Sequence, residues 1–171
     1  AGHSLGGLTI SLTAEYRPDK IRTLVYLTAA LIGPGEAFIP VGSGDAESVR
    51  KALYREGRNT VSDDLSTVDY LEEALRELFY NDCSEDDYAW AKSMLVPQPA
   101  APYIDPMRTT AGNFGRVRRV YIECLKDQAL SPEFQKEMYT KLPCEQVISL
   151  DTGHSPFLSS PDELVRHLVT V

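Results

Sequence analysis

Seven residues at the start of the chain, Ala1-Gly2-His3-Ser4-Leu5-Gly6-Gly7, restrict the folds open to the remainder. Gly2, Ser4 and Gly6 fit the pattern G-x-S-x-G, in which a serine stands on a sharp turn between a strand and a helix. Small residues at Gly2 and Gly6 are expected to let the backbone close around Ser4 and expose its hydroxyl. The helix is legible: Leu8, Ile10, Leu12 and Thr13 lead into Tyr16, and Pro18 stops it. The strand feeding the turn would lie before Ala1. The pattern therefore predicts a further N-terminal segment, on the same chain or as an associated piece, without which residues 1–171 neither fold stably nor act.

Past Pro18, Ile21 to Leu27 is a short apolar run of the kind a buried parallel strand shows. Glycine and proline then punctuate a loop from Gly33 to Gly44. Val68, Leu71, Leu75, Leu78 and Phe79 recur at helical spacing, and Ser84 opens a second helix with a capping-box pattern to Asp87. Val117 to Cys124 returns to strand character, Ser131-Pro132 starts another helix, Val147 to Leu150 is a last strand, and Pro161 opens a closing helix. Strands alternating with helices predict an α/β fold: an open parallel sheet flanked by helices, formed by residues 1–31 and 115–171. Residues 32–114 read as a helical cap inserted between two strands.

The net charge of −8 is concentrated in the cap, where Asp45–Asp87 holds 13 acidic and 5 basic residues while the remainder balances. Such a chain offers nothing to nucleic acid or to an anionic membrane, and no apolar run is long enough to span one. An acidic lid would disfavour anionic substrates and tolerate neutral ones. Cys83, Cys124 and Cys144 are odd in number and scattered, without metal-ligand spacing. They point to a reducing, cytoplasmic setting rather than to a disulfide framework, and no metal or other cofactor is expected.

A serine hydroxyl becomes a useful nucleophile only when a positioned base takes its proton. Three histidines are available. His3 lies inside the turn and His167 inside the last helix, and both read as packing or surface residues. His154 lies in Asp151-Thr152-Gly153-His154-Ser155, directly after the final strand, where an open parallel sheet places its active site. The acid should fall between serine and histidine in chain order, leaving Glu123, Asp127 and Asp151. Glu123 is inside a strand and Asp151 is close enough to His154 to be a loop cap. Asp127, just past a strand end, is favoured. The N–H of Leu5, after the nucleophile and at a helix start, is the expected oxyanion donor. In the cap, Phe79, Trp90, Met94 and Tyr103 are candidate walls of an apolar substrate pocket.

The elbow Gly2-His3-Ser4-Leu5-Gly6-Gly7, the stretch Arg119 to Cys124 with Asp127, and Pro132-Glu133-Phe134-Gln135 together resemble the plant methyl esterase and hydroxynitrile lyase family of α/β-hydrolases. Bacterial carboxylesterases of the pyrethroid-hydrolase type are similar again, and the likeness includes Cys83 to Asp86 and Leu95 to Pro97 of the cap. The resemblance implies a Ser4–His154–Asp127 triad and cleavage of small neutral carboxylic esters through an acyl-enzyme. It also implies a second oxyanion donor from the missing N-terminal strands. The lyase members carry a lysine immediately after the histidine, suited to leaving cyanide, whereas this chain has Ser155. Cyanohydrin cleavage and non-catalytic binding of a small molecule on the same fold are the competing readings. The expected partners are an ester substrate and the N-terminal segment, with a homodimer left open.

Overall fold

The computed structural model describes residues 1–171, and its elements follow from two periodicities in the sequence. In chain order they begin with β1 (Gly2–Ser4), α1 (Gly6–Tyr16) and β2 (Thr23–Ala29). The cap follows with α2 (Ala46–Leu53), β3 (Asn59–Val61), β4 (Thr67–Tyr70), α3 (Glu72–Phe79), α4 (Glu85–Ser93), β5 (Gln98–Pro99) and α5 (Ala101–Ile104). The core resumes with β6 (Arg118–Cys124), α6 (Pro132–Lys141), β7 (Gln146–Leu150), α7 (Pro156–Ser159) and α8 (Pro161–Leu168).

A four-stranded parallel sheet in the order β1-β2-β6-β7 forms the core. Successive side chains of β2 point to opposite faces, as the pleat requires. Leu24 and Tyr26 join Tyr121 of β6, Leu8 and Ala14 of α1 and Met138 of α6 in one cluster. Val25 and Leu27 join Val120, Ile122, Ile148, Leu150 and Leu164 of α8 in the other. Tyr26 and Tyr121, opposite in register, stack with ring centroids 6.4 Å apart and planes within 3°. Both faces are covered, which is why the central strands read as nearly continuous apolar runs.

The cap is not purely helical. Thr67–Tyr70 pairs antiparallel with Asn59–Val61 and Gln98–Pro99 in a three-stranded sheet. Val68, which fits the helical spacing of Leu71, Leu75 and Leu78, is a strand residue with α3 starting only at Glu72. Four residues cannot distinguish the two periods, and the paired strands decide. The caps inferred at Ser84 and Ser131 are formed, each hydroxyl accepting the N–H three residues on. No helix is long and apolar enough to cross a membrane.

Where the chain leaves the cap, Glu15 of α1 organises it. Its carboxylate accepts from the Thr110 N–H at 2.7 Å and hydroxyl at 2.9 Å, the Asn113 side-chain amide at 3.0 Å and the Phe114 N–H at 3.2 Å. Phe114, buried at 1% exposure, follows into the core cluster, with the Arg119 guanidinium 5.3 Å from its ring centroid.

Candidate active site

Ser4 ends β1 in the left-handed region, with φ of +52°. An L-residue adopts that conformation at a cost of about 1–3 kcal/mol, maintained only where neighbouring structure fixes it. Two glycines supply the room. A Cβ on Gly2 would lie 2.6 Å from the Gly6 carbonyl oxygen, and one on Gly7 2.2 Å from that of Ala30 after β2. A Cβ on Gly6 would meet nothing within 4 Å, so tight closure belongs to Gly2 and Gly7 rather than to Gly2 and Gly6. Leu5 stands at the start of α1, where first-turn N–H groups have no acceptor inside the helix.

His154 follows β7 and is 2% exposed. Its Nδ1 lies 2.7 Å from Oδ2 of Asp127, which follows β6 and is 1% exposed. An ionised carboxylate only accepts, so the ring carries its proton on Nδ1 and leaves the Nε2 lone pair free. Three further donors fix the carboxylate. Oδ1 accepts the N–H groups of Ala129 at 2.7 Å and Leu130 at 2.9 Å, and Oδ2 accepts the Thr28 hydroxyl at 2.5 Å. Thr28 itself has φ of +34° at the end of β2. The other candidate acids are engaged elsewhere: Asp151 pairs with Lys126 at 2.7 Å, and Glu123 accepts from Ser149 at 2.7 Å and Tyr139 at 3.0 Å.

Ser4, Leu5 and His154 open onto one cleft of about 1090 Å³ between the core and the cap. Phe79 and Tyr103 line it, joined by Phe38, Tyr70 and Phe134. Phe79 sets its edge against the His154 ring at 5.3 Å. The Tyr103 hydroxyl meets that of Tyr70 at 3.3 Å, and burial raises its pKa so that it stays neutral. Trp90 and Met94 are not walls of the cleft; they lie on the surface, 61% and 67% exposed. Helix α4 turns Ala91 inward, with Tyr88 packed beside it, so Trp90 falls on the outer face and Met94 on the exposed C-cap. No group of three His, Cys, Asp or Glu side chains converges to hold a metal.

Thr28 carries no signal in the sequence beyond being a polar residue at the end of an apolar strand. His3 reads from the sequence as a packing residue. The ring does pack, edge-on to Phe157 at 4.9 Å, but its Nε2 also lies 2.7 Å from the carbonyl oxygen of His154. His167 sits on α8, outside the cleft.

Comparison with known proteins identifies the family and the fold. A family model described as the alpha/beta hydrolase family matches residues 1–167. A pyrethroid hydrolase of Sphingobium wenxiniae is 34% identical over 174 residues, covering 96% of this chain and 60% of that protein. Methylesterase 18 of Arabidopsis thaliana is 29% identical over 178 residues, covering 98% and 67%. Among solved structures, tomato methylketone synthase I in complex with 2-tridecanone superposes with a TM-score of 0.81 at 26% identity, covering 99% of this chain and 68% of that one. The chain spans about half the length of the curated relatives it matches.

Proposed function

Because the chain belongs to the alpha/beta hydrolase family, we propose that it is the part of a carboxylic-ester hydrolase that carries a Ser4–His154–Asp127 triad. The observation carrying the proposal is the buried 2.7 Å contact between His154 Nδ1 and an Asp127 carboxylate, with His154 lining the same cleft as a serine at positive φ. Ser4 Oγ attacks the ester carbonyl as its proton passes to His154 Nε2, and Asp127 stabilises the imidazolium. The Leu5 N–H, at the positive end of α1, donates to the developing oxyanion. The imidazolium then protonates the departing alkoxide, leaving an acyl-enzyme that water hydrolyses by the same route.

The substrate proposed is a small neutral ester. The catalytic end of the cleft is aromatic and aliphatic, and two of the cap cations that line it are paired, Lys92 with Glu72 and Arg58 with Glu77. The relatives named as methylesterase and pyrethroid hydrolase support an ester over a cyanohydrin. So does Ser155, a buried neutral residue on the cleft where the lyases have a cation. A reducing, cytoplasmic setting is part of the same proposal, in keeping with the three unpaired cysteines.

The test is labelling of the full-length protein with a fluorophosphonate, alongside turnover of a short-chain p-nitrophenyl ester and of mandelonitrile. Labelling at Ser4, ester turnover and loss of both in a folded Ser4→Ala variant are expected. Absence of labelling would indicate a binding protein, and cyanide release as fast as ester hydrolysis would indicate a lyase.

A further inference from the structure

The His154–Asp127 contact fixes how the imidazole is turned but not where its main chain stands. Two side chains outside the triad address the main chain directly. His3, the residue before the nucleophile, lies with Nε2 at 2.7 Å from the His154 carbonyl oxygen, its ring centroid 4.6 Å from that of His154. A carbonyl oxygen only accepts, so His3 donates from Nε2. From the cap, in the connection between α3 and α4, the Asp82 carboxylate accepts the Gly153 N–H at 2.6 Å.

We propose that His3 and Asp82 are positioning residues that hold the two ends of the Gly153–His154 dipeptide, through the His154 carbonyl and the Gly153 N–H, and so set where the base stands relative to Ser4. The inference rests on the esterase reading. One hold comes from the strand that carries the nucleophile and the other from the cap, so both are tied to the base by a single hydrogen bond each.

The surroundings support this. A Cβ on Gly153 would lie 2.0 Å from Asn81 Oδ1 and 2.7 Å from Asp82 Oδ1, so cap corner and base loop meet closely enough that a larger residue would displace those two side chains. Asn81 also donates to the Lys126 carbonyl at 2.9 Å, one residue before Asp127, so the same corner reaches the acid's loop. The Lys126 N–H in turn donates to the Thr152 carbonyl at 2.9 Å. Burial, and then the neighbouring His154, push the His3 pKa down to about 4, so the ring is a neutral donor at the pH of ester hydrolysis. Misplacing a base by about 1 Å costs on the order of 100-fold in rate, which is the scale at which such holds act.

In the full-length protein, folded His3→Leu and Asp82→Ala are expected to lower kcat for a p-nitrophenyl ester by roughly 10-fold to 100-fold. KM should stay within about twofold, since the substrate walls are untouched. His3→Gln keeps an N–H donor of similar reach and Asp82→Asn keeps an oxygen acceptor, and each should recover most of the loss. The fluorophosphonate reaction rate, measured per folded molecule by near-UV circular dichroism, should track kcat. If His3→Leu does not fold, His3→Asn, polar but too short to reach the carbonyl, serves instead. Unchanged kcat in the folded variants overturns the inference, as does a loss that appears in KM or is not restored by Gln and Asn. A wild-type protein that neither labels nor turns over overturns the esterase reading and this inference with it; an active wild type with unaffected variants overturns this inference alone.

Discussion

Replacing Asp127 by asparagine keeps size and shape but exchanges one acceptor oxygen for a donor, and the four hydrogen bonds at this site determine the outcome. If the amide oxygen stays where Oδ1 accepts the N–H groups of Ala129 and Leu130, the NH2 group faces Thr28 and His154. The Thr28 hydroxyl can rotate to accept, but His154 Nδ1 must also become an acceptor. Its proton moves to Nε2, and the ring can no longer take one from Ser4. The opposite orientation restores the ring but sets NH2 against two main-chain donors. Leaving those two N–H groups unsatisfied costs about 1–3 kcal/mol each, roughly 2–6 kcal/mol in all. The productive orientation is thereby depleted roughly 30-fold to 10⁴-fold. The upper end meets the loss of about 10⁴ seen when a triad histidine is forced into the wrong tautomer. The assay is steady-state hydrolysis of a p-nitrophenyl ester by the full-length protein, with near-UV circular dichroism to establish the fold. A folded Asp127→Asn variant keeping more than about a tenth of wild-type kcat would refute the reasoning, and an equal loss in Asp151→Asn would move the acid to Asp151.

Gly7→Ala would place a methyl group 2.2 Å from the Ala30 carbonyl oxygen, so a loss of at least about 1–3 kcal/mol is expected, read as a fall in Tm; a Tm unchanged from wild type would contradict the close packing of α1 on β2. Trp90→Ala and Met94→Ala, on the exposed face of the cap, should leave stability within about 0.5 kcal/mol and KM within about twofold, and a large rise in KM would return them to the substrate pocket. His3 has its pKa pushed down from 6.5 to about 4, so between those values the unfolded chain binds a proton that the folded chain does not. Stability should therefore fall as pH drops through that window, and His3→Gln should flatten the slope in thermal melts recorded between about pH 4.5 and 7; an unaltered slope would refute the burial argument.

The proposed site is legible where chemistry demands a fixed order and a fixed place in the fold. Ser4 sits in a short pattern with a mechanical meaning, and His154 and Asp127 each follow a strand end, so few alternatives existed for either. The cap was harder because its elements are short. Val68 satisfies a strand and a helix equally until β3 and β5 are seen beside it. A tryptophan on a nine-residue helix announces an apolar surface without saying which face it takes. Gly6 and Gly7 are identical in type and adjacent in sequence, and only the approach of the Ala30 carbonyl separates them. His3, Thr28 and Asp82 act through contacts 151, 99 and 71 residues away in the chain, and spacing carries no information at that range.

The carboxylate of Glu15 bears on how this fold can be recombined. The segment it captures, Thr110 to Phe114, is the return path from cap to sheet, while the carboxylate belongs to the helix behind Ser4. A chimera that imports a foreign cap therefore has two seams of unequal tolerance. The outgoing seam, at Gly35 and Glu36, is joined to the cap's own Met107 by two main-chain hydrogen bonds of 2.8 Å, so it travels with a cap cut between Met107 and Thr110. The returning seam is sensitive to its position, because a crossover ahead of Thr110 keeps the donors together with their acceptor, whereas one placed after Phe114 leaves a glutamate addressing a loop that no longer answers it. Grafts cut upstream of Thr110 should yield soluble protein far more often than those cut downstream of Phe114.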